Sequence, residues 1–353
     1  MNKQRIINTS NVWILSLMHL LVDGLCAYTI FNRLYITDKY IEVIIVFVVY
    51  NSLAFMLQPL VGFVIDKVKK EKMFLNISVI MLIVGSLIPL YKWITLLLIG
   101  ISNAIFHVVG GKYTVYASSK KLSPLGLFVA LGATGLAIGT YVNEQMVQTI
   151  FAILFLGVAF IFNVINYHEE NQSSPIEAYQ PIKDIHPKAK KWVLILSLAV
   201  TIRALMGKVS TPLFEVNTWI LVGIGIATSL GKIIGGILAD RIGIHLTVFI
   251  TLPISFVLYL LFRDHLITYI IATILFNTTM PITLYLANVN FKNHEGLSFG
   301  ILAFTLFPGY LLGSLYQYLE FPYIPLLVIS IILTIVIILR ANHQICKRSA
   351  VND

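Results

Sequence analysis

Along the chain, long apolar runs are interrupted at regular intervals by short clusters of charge, Gly, Pro and Asn. These runs predict twelve helices, at 11–31, 41–65, 73–91, 94–116, 125–142, 147–165, 192–210, 217–239, 245–262, 266–289, 297–319 and 322–340. A bilayer core takes about 20 apolar residues per helix, so each run suffices to span it. The composition agrees: 58% of the 353 residues are hydrophobic and 12% charged, against about 25% charged in soluble domains. The expectation is an all-α polytopic membrane protein with short connections and no separate soluble domain. Lys3 and Arg5 before the first run give it the look of a secretory leader, but the run is too long and no small-x-small site follows it. It reads as a retained helix. Cys26 within that run and Cys346 near the C-terminus imply no disulfide framework.

A formal net charge of +9 in a soluble protein would point to nucleic acid. Here the placement of the charges decides otherwise. With the N-terminus in the cytoplasm, seventeen of the 25 Lys and Arg fall in cytoplasmic segments and five outside (Arg33, Lys39, Lys92, Lys208, Arg263). Lys112, Arg203 and Lys232 fall within helices. That asymmetry supports both termini on the cytoplasmic side of a plasma membrane. The basic residues are scattered over seven short segments rather than gathered on one face, which excludes a nucleic-acid surface. One connection is long and polar, 166–191, with three Pro. It is expected to link an N-terminal six-helix bundle, 1–165, to a C-terminal one, 192–353.

The two halves repeat. Gly62-Phe-Val-Ile-Asp66-Lys67 closes the second run, and Gly236-Ile-Leu-Ala-Asp240-Arg241 closes the eighth, 174 positions later. At the same offset Asn103 of the fourth run matches Asn277 of the tenth. A six-plus-six repeat is the mark of a transporter whose bundles rock about a central site. "GFVIDKVKKEK" and "GGILADRIG" resemble the G-x-x-x-D-[RK]-x-G-[RK]-[RK] signature of the major facilitator superfamily. Lys69 stands at the usual Gly in the first copy, and Ile244 and His245 stand at basic positions in the second. The resemblance covers the whole chain. It implies that each Asp faces the N-terminus of a helix in the opposite half, where a carboxylate is stabilised by up to about 2 kcal/mol, and that Gly62, Asp66, Lys67, Gly236, Asp240 and Arg241 form gates. More narrowly, "MHLLVDG", "NAIFHVVGGKY" and "TIRALMG" are similar to the fosmidomycin-resistance-like branch of drug-exporting antiporters. Val108 replaces the Pro of that branch. Gly126, Gly135 and Gly139 resemble the G-x8-G-x3-G-P glycines of the fifth helix in proton antiporters, with Thr140 where Pro is usual.

An ionised side chain at mid-span costs about 2.5–3.5 kcal/mol and needs a cavity or a partner. His19, Asp23, His107, Arg203 and Asn277 all fall at mid-span, in the first, fourth, seventh and tenth runs. The resemblance implies that these four helices line the transport path. His19 and Asp23, four residues apart, share one helical face. The expected roles are proton coupling for Asp23 and His19, and substrate binding for Arg203, His107, Asn103 and Asn277. The same residues admit a structural reading. Asp23 and Arg203 can form a permanent ion pair, His107 can donate to a backbone carbonyl, and the two Asn can join helices by hydrogen bonds. Lys112 and Lys232 can snorkel to the cytoplasmic interface.

Together these features predict a proton-coupled secondary transporter, an exporter of a small anionic or zwitterionic compound, acting as a monomer in the lipid bilayer. An uptake symporter of an organic anion is the alternative, and a polytopic membrane enzyme a weaker one. No D-D-x-x-D, H-E-x-x-H, P-loop or clustered Cys/His occurs in the sequence, so no catalysis, cofactor or metal is expected.

Overall fold

The computed structural model describes residues 3–35, 40–118, 121–166, 185–318 and 321–352. The expected linker at 166–191 lies mostly outside them. The first half holds α1 (Lys3–Thr29), α2 (Tyr40–Asn51), α3 (Gln58–Val68), α4 (Glu71–Leu87), α5 (Lys92–Ala117), α6 (Ser123–Tyr141) and α7 (Gln145–Ile165). The second holds α8 (Pro187–Val209), α9 (Thr218–Leu261), α10 (Leu266–Asn277), α11 (Thr279–Asn290), α12 (Glu295–Phe304), α13 (Leu306–Leu315) and α14 (Tyr323–Asn352).

These elements make twelve spans. Ten helical stretches among the described residues are long and apolar enough to cross a bilayer. One of them, α9, is 44 residues long and turns at Gly243 (φ 84°, ψ 158°), so it supplies two spans. The 17-residue α4 supplies the last. Three expected helices are interrupted within their spans, and each interruption has a proline behind it. Pro59, Pro281 and Pro308 cannot donate to the carbonyls of Phe55, Asn277 and Phe304, four residues earlier. There the second span passes through a π-helical turn (Ser52–Met56), the tenth divides into α10 and α11, and the eleventh into α12 and α13. Such kinks are the ordinary response to a missing backbone bond.

Phe160, Leu194 and Ile267 stand exposed on outer faces, as lipid-facing side chains do, while Phe106, Phe128, Phe155 and Phe162 are fully buried. The halves meet along two seams made by glycine. A Cβ on Gly62 (α3) would lie 2.3 Å from the carbonyl oxygen of Gly296 (α12), and one on Gly300 would lie 2.3 Å from that of Gln58. In the mirror seam, a Cβ on Gly236 (α9) would lie 2.8 Å from Leu122 O, and one on Gly126 (α6) 2.6 Å from Lys232 O. Small residues let membrane helices approach this closely. The two seams are related residue by residue through the 174-position offset.

The repeat also carries its departure from the signature. Lys69 has φ 56° and the matching Gly243 has φ 84°. Both copies therefore need the left-handed side of backbone space, but only the second uses the residue that enters it without cost.

Candidate transport site and its seals

The mid-span polar residues of the first half converge. On α1, His19 and Asp23 are one turn apart, with 3.2 Å between His19 Nε2 and Asp23 Oδ2. On α5, Asn103 and His107 are likewise one turn apart. Asn103 Nδ2 donates to Asp23 Oδ1 at 3.2 Å, and His107 Nε2 lies 3.4 Å from the same oxygen. The two imidazoles meet Nε2 to Nε2 at 2.9 Å. Each ring is tethered through its other nitrogen: His19 Nδ1 to Phe128 O at 2.8 Å, and His107 Nδ1 to Asn103 O at 2.9 Å. The backbone of α6 closes the site from one side. A Cβ on Gly132 would fall 2.3 Å from His19 Nε2 and 2.6 Å from Asp23 Oδ2. The Asp23 side chain keeps 17% exposure, against 5% for His19 and 10% for His107, so the carboxylate is the most accessible member.

The second half supplies cations. Arg203 on α8 is buried, with Nη1 3.5 Å from Thr283 Oγ1 and Nη2 against the Met280 sulfur. Lys232 on α9 donates to Val129 O at 2.9 Å across the interface between halves. Neither has a carboxylate within ion-pair distance among the described residues. Lys232 lies within electrostatic reach of both Arg203 and Asp23, and Tyr310 on α13 is near the same two charges. In this structure Asp23 takes its partners from α1 and α5 and makes no ion pair with Arg203. Asn277 is not part of this group. Its amide donates to Thr273 O within its own helix, and its Cβ packs on Gly231.

At one end of the bundle, the end that the charge count assigns to the cytoplasm, stand the two signature carboxylates. Asp66 accepts from the backbone N–H groups of Gly296 at 3.1 Å and Leu297 at 2.8 Å, the first turn of α12. Asp240 accepts from Leu122 and Ser123, both at 2.8 Å, at the start of α6. Each is a carboxylate set on the positive end of a helix from the opposite half. The two differ in their surroundings, since Asp66 is buried and Asp240 exposed.

Lys112 accounts for part of that difference, and here a sequence expectation is corrected. It does not snorkel. It is buried, with Nζ 2.8 Å from Asp66 Oδ1 and 2.8 Å from Glu71 Oε1, because α5 passes directly behind α3. Nor does Lys232 turn to the interface: it reaches into the bundle. Lys67 and Arg241, expected in the gates, are exposed and lie outside the hydrogen bonds that hold them. Glu71, Glu295 and Tyr116 went unnoticed in the sequence. Tyr116 donates to Glu295 Oε2 at 3.3 Å beside the Asp66 seal. Nothing in the local pattern distinguishes these three from surface polar residues.

No family model matches the sequence, and no curated protein does. Solved structures match over nearly the full length. FucP, a major facilitator superfamily transporter crystallised in the outward conformation, superposes with a TM-score of 0.68 at 10% identity, covering 97% of this chain and 99% of its own. A single-substitution variant of the E. coli fucose:proton symporter gives 0.66 at 10% identity, over 96% and 98%. A bacterial homologue of the iron transporter ferroportin, in an outward-facing state, gives 0.54 at 13% identity, over 98% and 99%. The chain is thus a multi-pass membrane protein with the major facilitator fold, two six-helix bundles built from twelve spans.

Proposed function

We propose that the protein is a proton-coupled secondary transporter that exports a small anionic or zwitterionic compound across the plasma membrane. The observation that carries this reading is the division of charge at mid-bundle. One half holds an accessible carboxylate between two imidazoles. The other holds Arg203, buried, and Lys232, partly buried, both without carboxylate counter-ions among the described residues. A proton belongs on the first and an anion on the second. In this reading Asp23 carries the proton and His19 relays it, while Arg203, joined by Lys232, takes the anionic group. The signature carboxylates Asp66 and Asp240 hold the cytoplasmic side closed and release when the bundles rock. Both termini then face the cytoplasm, and the domains run 1–165 and 192–353. The resemblance to drug-exporting antiporters in the first, fourth and seventh helices favours export.

A second reading, uptake by symport, is favoured by the reach of Lys232 to both Asp23 and Arg203. An anion that neutralises those cations leaves Asp23 better able to hold a proton, so the two ligands load together. The fold is shared with a protein described as a fucose:proton symporter.

Flux in proteoliposomes under an imposed pH gradient, screened over anionic metabolites and antibiotics, tests both. Substrate moving against the proton supports export, and substrate moving with it supports symport. Asp23→Asn is expected to abolish gradient-driven net flux and to spare substrate exchange. Net flux that persists in this variant excludes Asp23 as the proton carrier.

A further inference from the structure

We propose that His19, His107 and Asp23 form a binding site for one divalent first-row transition-metal ion, of the class of Zn²⁺, Co²⁺ or Fe²⁺. The three residues come from two helices and lie 84 or more positions apart across those helices, so no metal motif is visible in the sequence. Their ligand atoms nevertheless gather within 4.8 Å of one another.

Three features of the arrangement point to a metal rather than to an ordinary buried polar cluster. The first is the tautomer. Both Nδ1 atoms face backbone carbonyls, Phe128 O for His19 and Asn103 O for His107. A carbonyl only accepts, so each Nδ1 carries the hydrogen, and in the neutral ring each Nε2 presents a lone pair. Two lone pairs then face each other at 2.9 Å with a carboxylate against both. Such a set is repulsive until a cation sits within it, and a metal ion satisfies both lone pairs and the carboxylate at once, where a single proton satisfies one pair of atoms. The only amide donor in the group, Asn103, reaches one oxygen of Asp23.

The second feature is spacing. Donor atoms about 2.1 Å from a common ion are roughly 2.9–3.4 Å apart between octahedral and tetrahedral geometry. The two Nε2 atoms are 2.9 Å apart, and Asp23 sets Oδ2 3.2 Å from His19 Nε2 and Oδ1 3.4 Å from His107 Nε2, so each ring has a carboxylate oxygen within that interval, as a carboxylate ligating through both oxygens requires. The third is orientation. A ligating His typically donates its other N–H to a backbone carbonyl or carboxylate, which fixes the ring, and both imidazoles here are fixed in that way. Two imidazoles with one carboxylate select zinc, iron or cobalt over magnesium and calcium, which prefer oxygen alone.

The inference goes beyond the transport reading and does not depend on it, since it concerns equilibrium binding without a membrane gradient. The test uses the full-length protein in detergent with its purification tag removed. Co²⁺ is titrated by visible absorption, Zn²⁺ and Mg²⁺ compete, and the zinc K-edge of the wild type is measured at one equivalent. One tight site is expected, displaced by Zn²⁺ and not by Mg²⁺, with two imidazoles in the zinc shell. His19→Gln, His107→Gln and Asp23→Asn should each weaken it at least ten-fold. His265→Gln, which removes an exposed imidazole beside Asp264, should leave it unchanged. A tight site that survives His107→Gln, a zinc shell with fewer than two imidazoles, or the absence of a one-equivalent site overturns the proposal. The zinc-edge measurement on the wild type stands even where a variant fails to fold. Loss of proton coupling in Asp23→Asn with an intact wild-type metal site would leave this inference standing, and proton-coupled flux by a protein that binds no metal would remove it alone.

Discussion

Asp66 Oδ2 and the backbone N–H of Leu297, 231 residues apart in sequence, meet at 2.8 Å. The same bond recurs between Asp240 and Ser123, so one end of the bundle is closed by two copies of one device. The copies are not equally strong. Removing Asp66 strands part of the charge on buried Lys112, whereas Asp240 is exposed. Asp66→Ala is expected to cost roughly 3 kcal/mol, and Asp240→Ala about 1 kcal/mol, the usual value of a lost helix cap. Thermal unfolding in detergent ranks the two. Labelling of cysteines introduced behind the seals should also rise in both variants, and unchanged labelling would reduce the seals to static contacts.

Lys112 holds two carboxylates at once. Lys112→Met should therefore destabilise the protein by about 3–5 kcal/mol, because Asp66 stays buried without its cation. Adding Glu71→Gln should recover little, since Glu71 is the more exposed partner. Full recovery in that double variant would place the main demand on Glu71 instead.

Gly132 has no room for a methyl group. Gly132→Ala is expected to cost about 1–3 kcal/mol by overpacking and, on the proposed function, to reduce flux sharply, since the displaced atoms are His19 Nε2 and Asp23 Oδ2. Gly157→Ala, where a Cβ meets nothing within 4 Å, should be neutral or slightly stabilising. Equal behaviour of the two variants would refute the close approach.

Asp23 and Arg203 are not partners, so Asp23→Asn and Arg203→Gln should act independently on stability. Their combined effect is expected to equal the sum within about 0.5 kcal/mol. Strong mutual rescue in the double variant would restore the ion-pair reading.

Lys69 and Gly243 share a repeat position and the sign of φ. Gly243, at ψ 158°, sits where side chains are strained by about 1–3 kcal/mol, so Gly243→Ala should lower the unfolding midpoint. Lys69→Gly should leave it unchanged or raise it.

The twelve spans were legible because run length is local chemistry, whereas the contact of Asp66 and Asp240 with opposite helix starts was implied only by the resemblance of their two segments to a known signature. The kinks were legible in principle, since each lies just before a proline, but the apolar run resumes beyond Asn277-Thr278-Thr279 and 266–289 reads as one span. The site was half legible. His19 with Asp23, and Asn103 with His107, are i, i+4 pairs that any helical reading stacks together. That the two pairs face each other, and that Arg203 does not, depends on how α1 and α5 are rotated, which a single chain pattern does not encode. Lys112 was misjudged for a related reason. A lysine near a helix end looks the same whether its stem runs to water or to a neighbouring Asp.

Gly132 and Ser123 belong to one unbroken helix, α6, nine residues and about 14 Å apart. One end of that stretch rests on His19 and Asp23; the other is clamped by Asp240. The helix carries its only proline at Pro124, in its first turn, where it causes no kink. On the transport and metal-binding proposals, one continuous helix thus joins the group that takes the ligand to the seal that closes the bundle, and a shift at Gly132 has a direct mechanical route to Asp240.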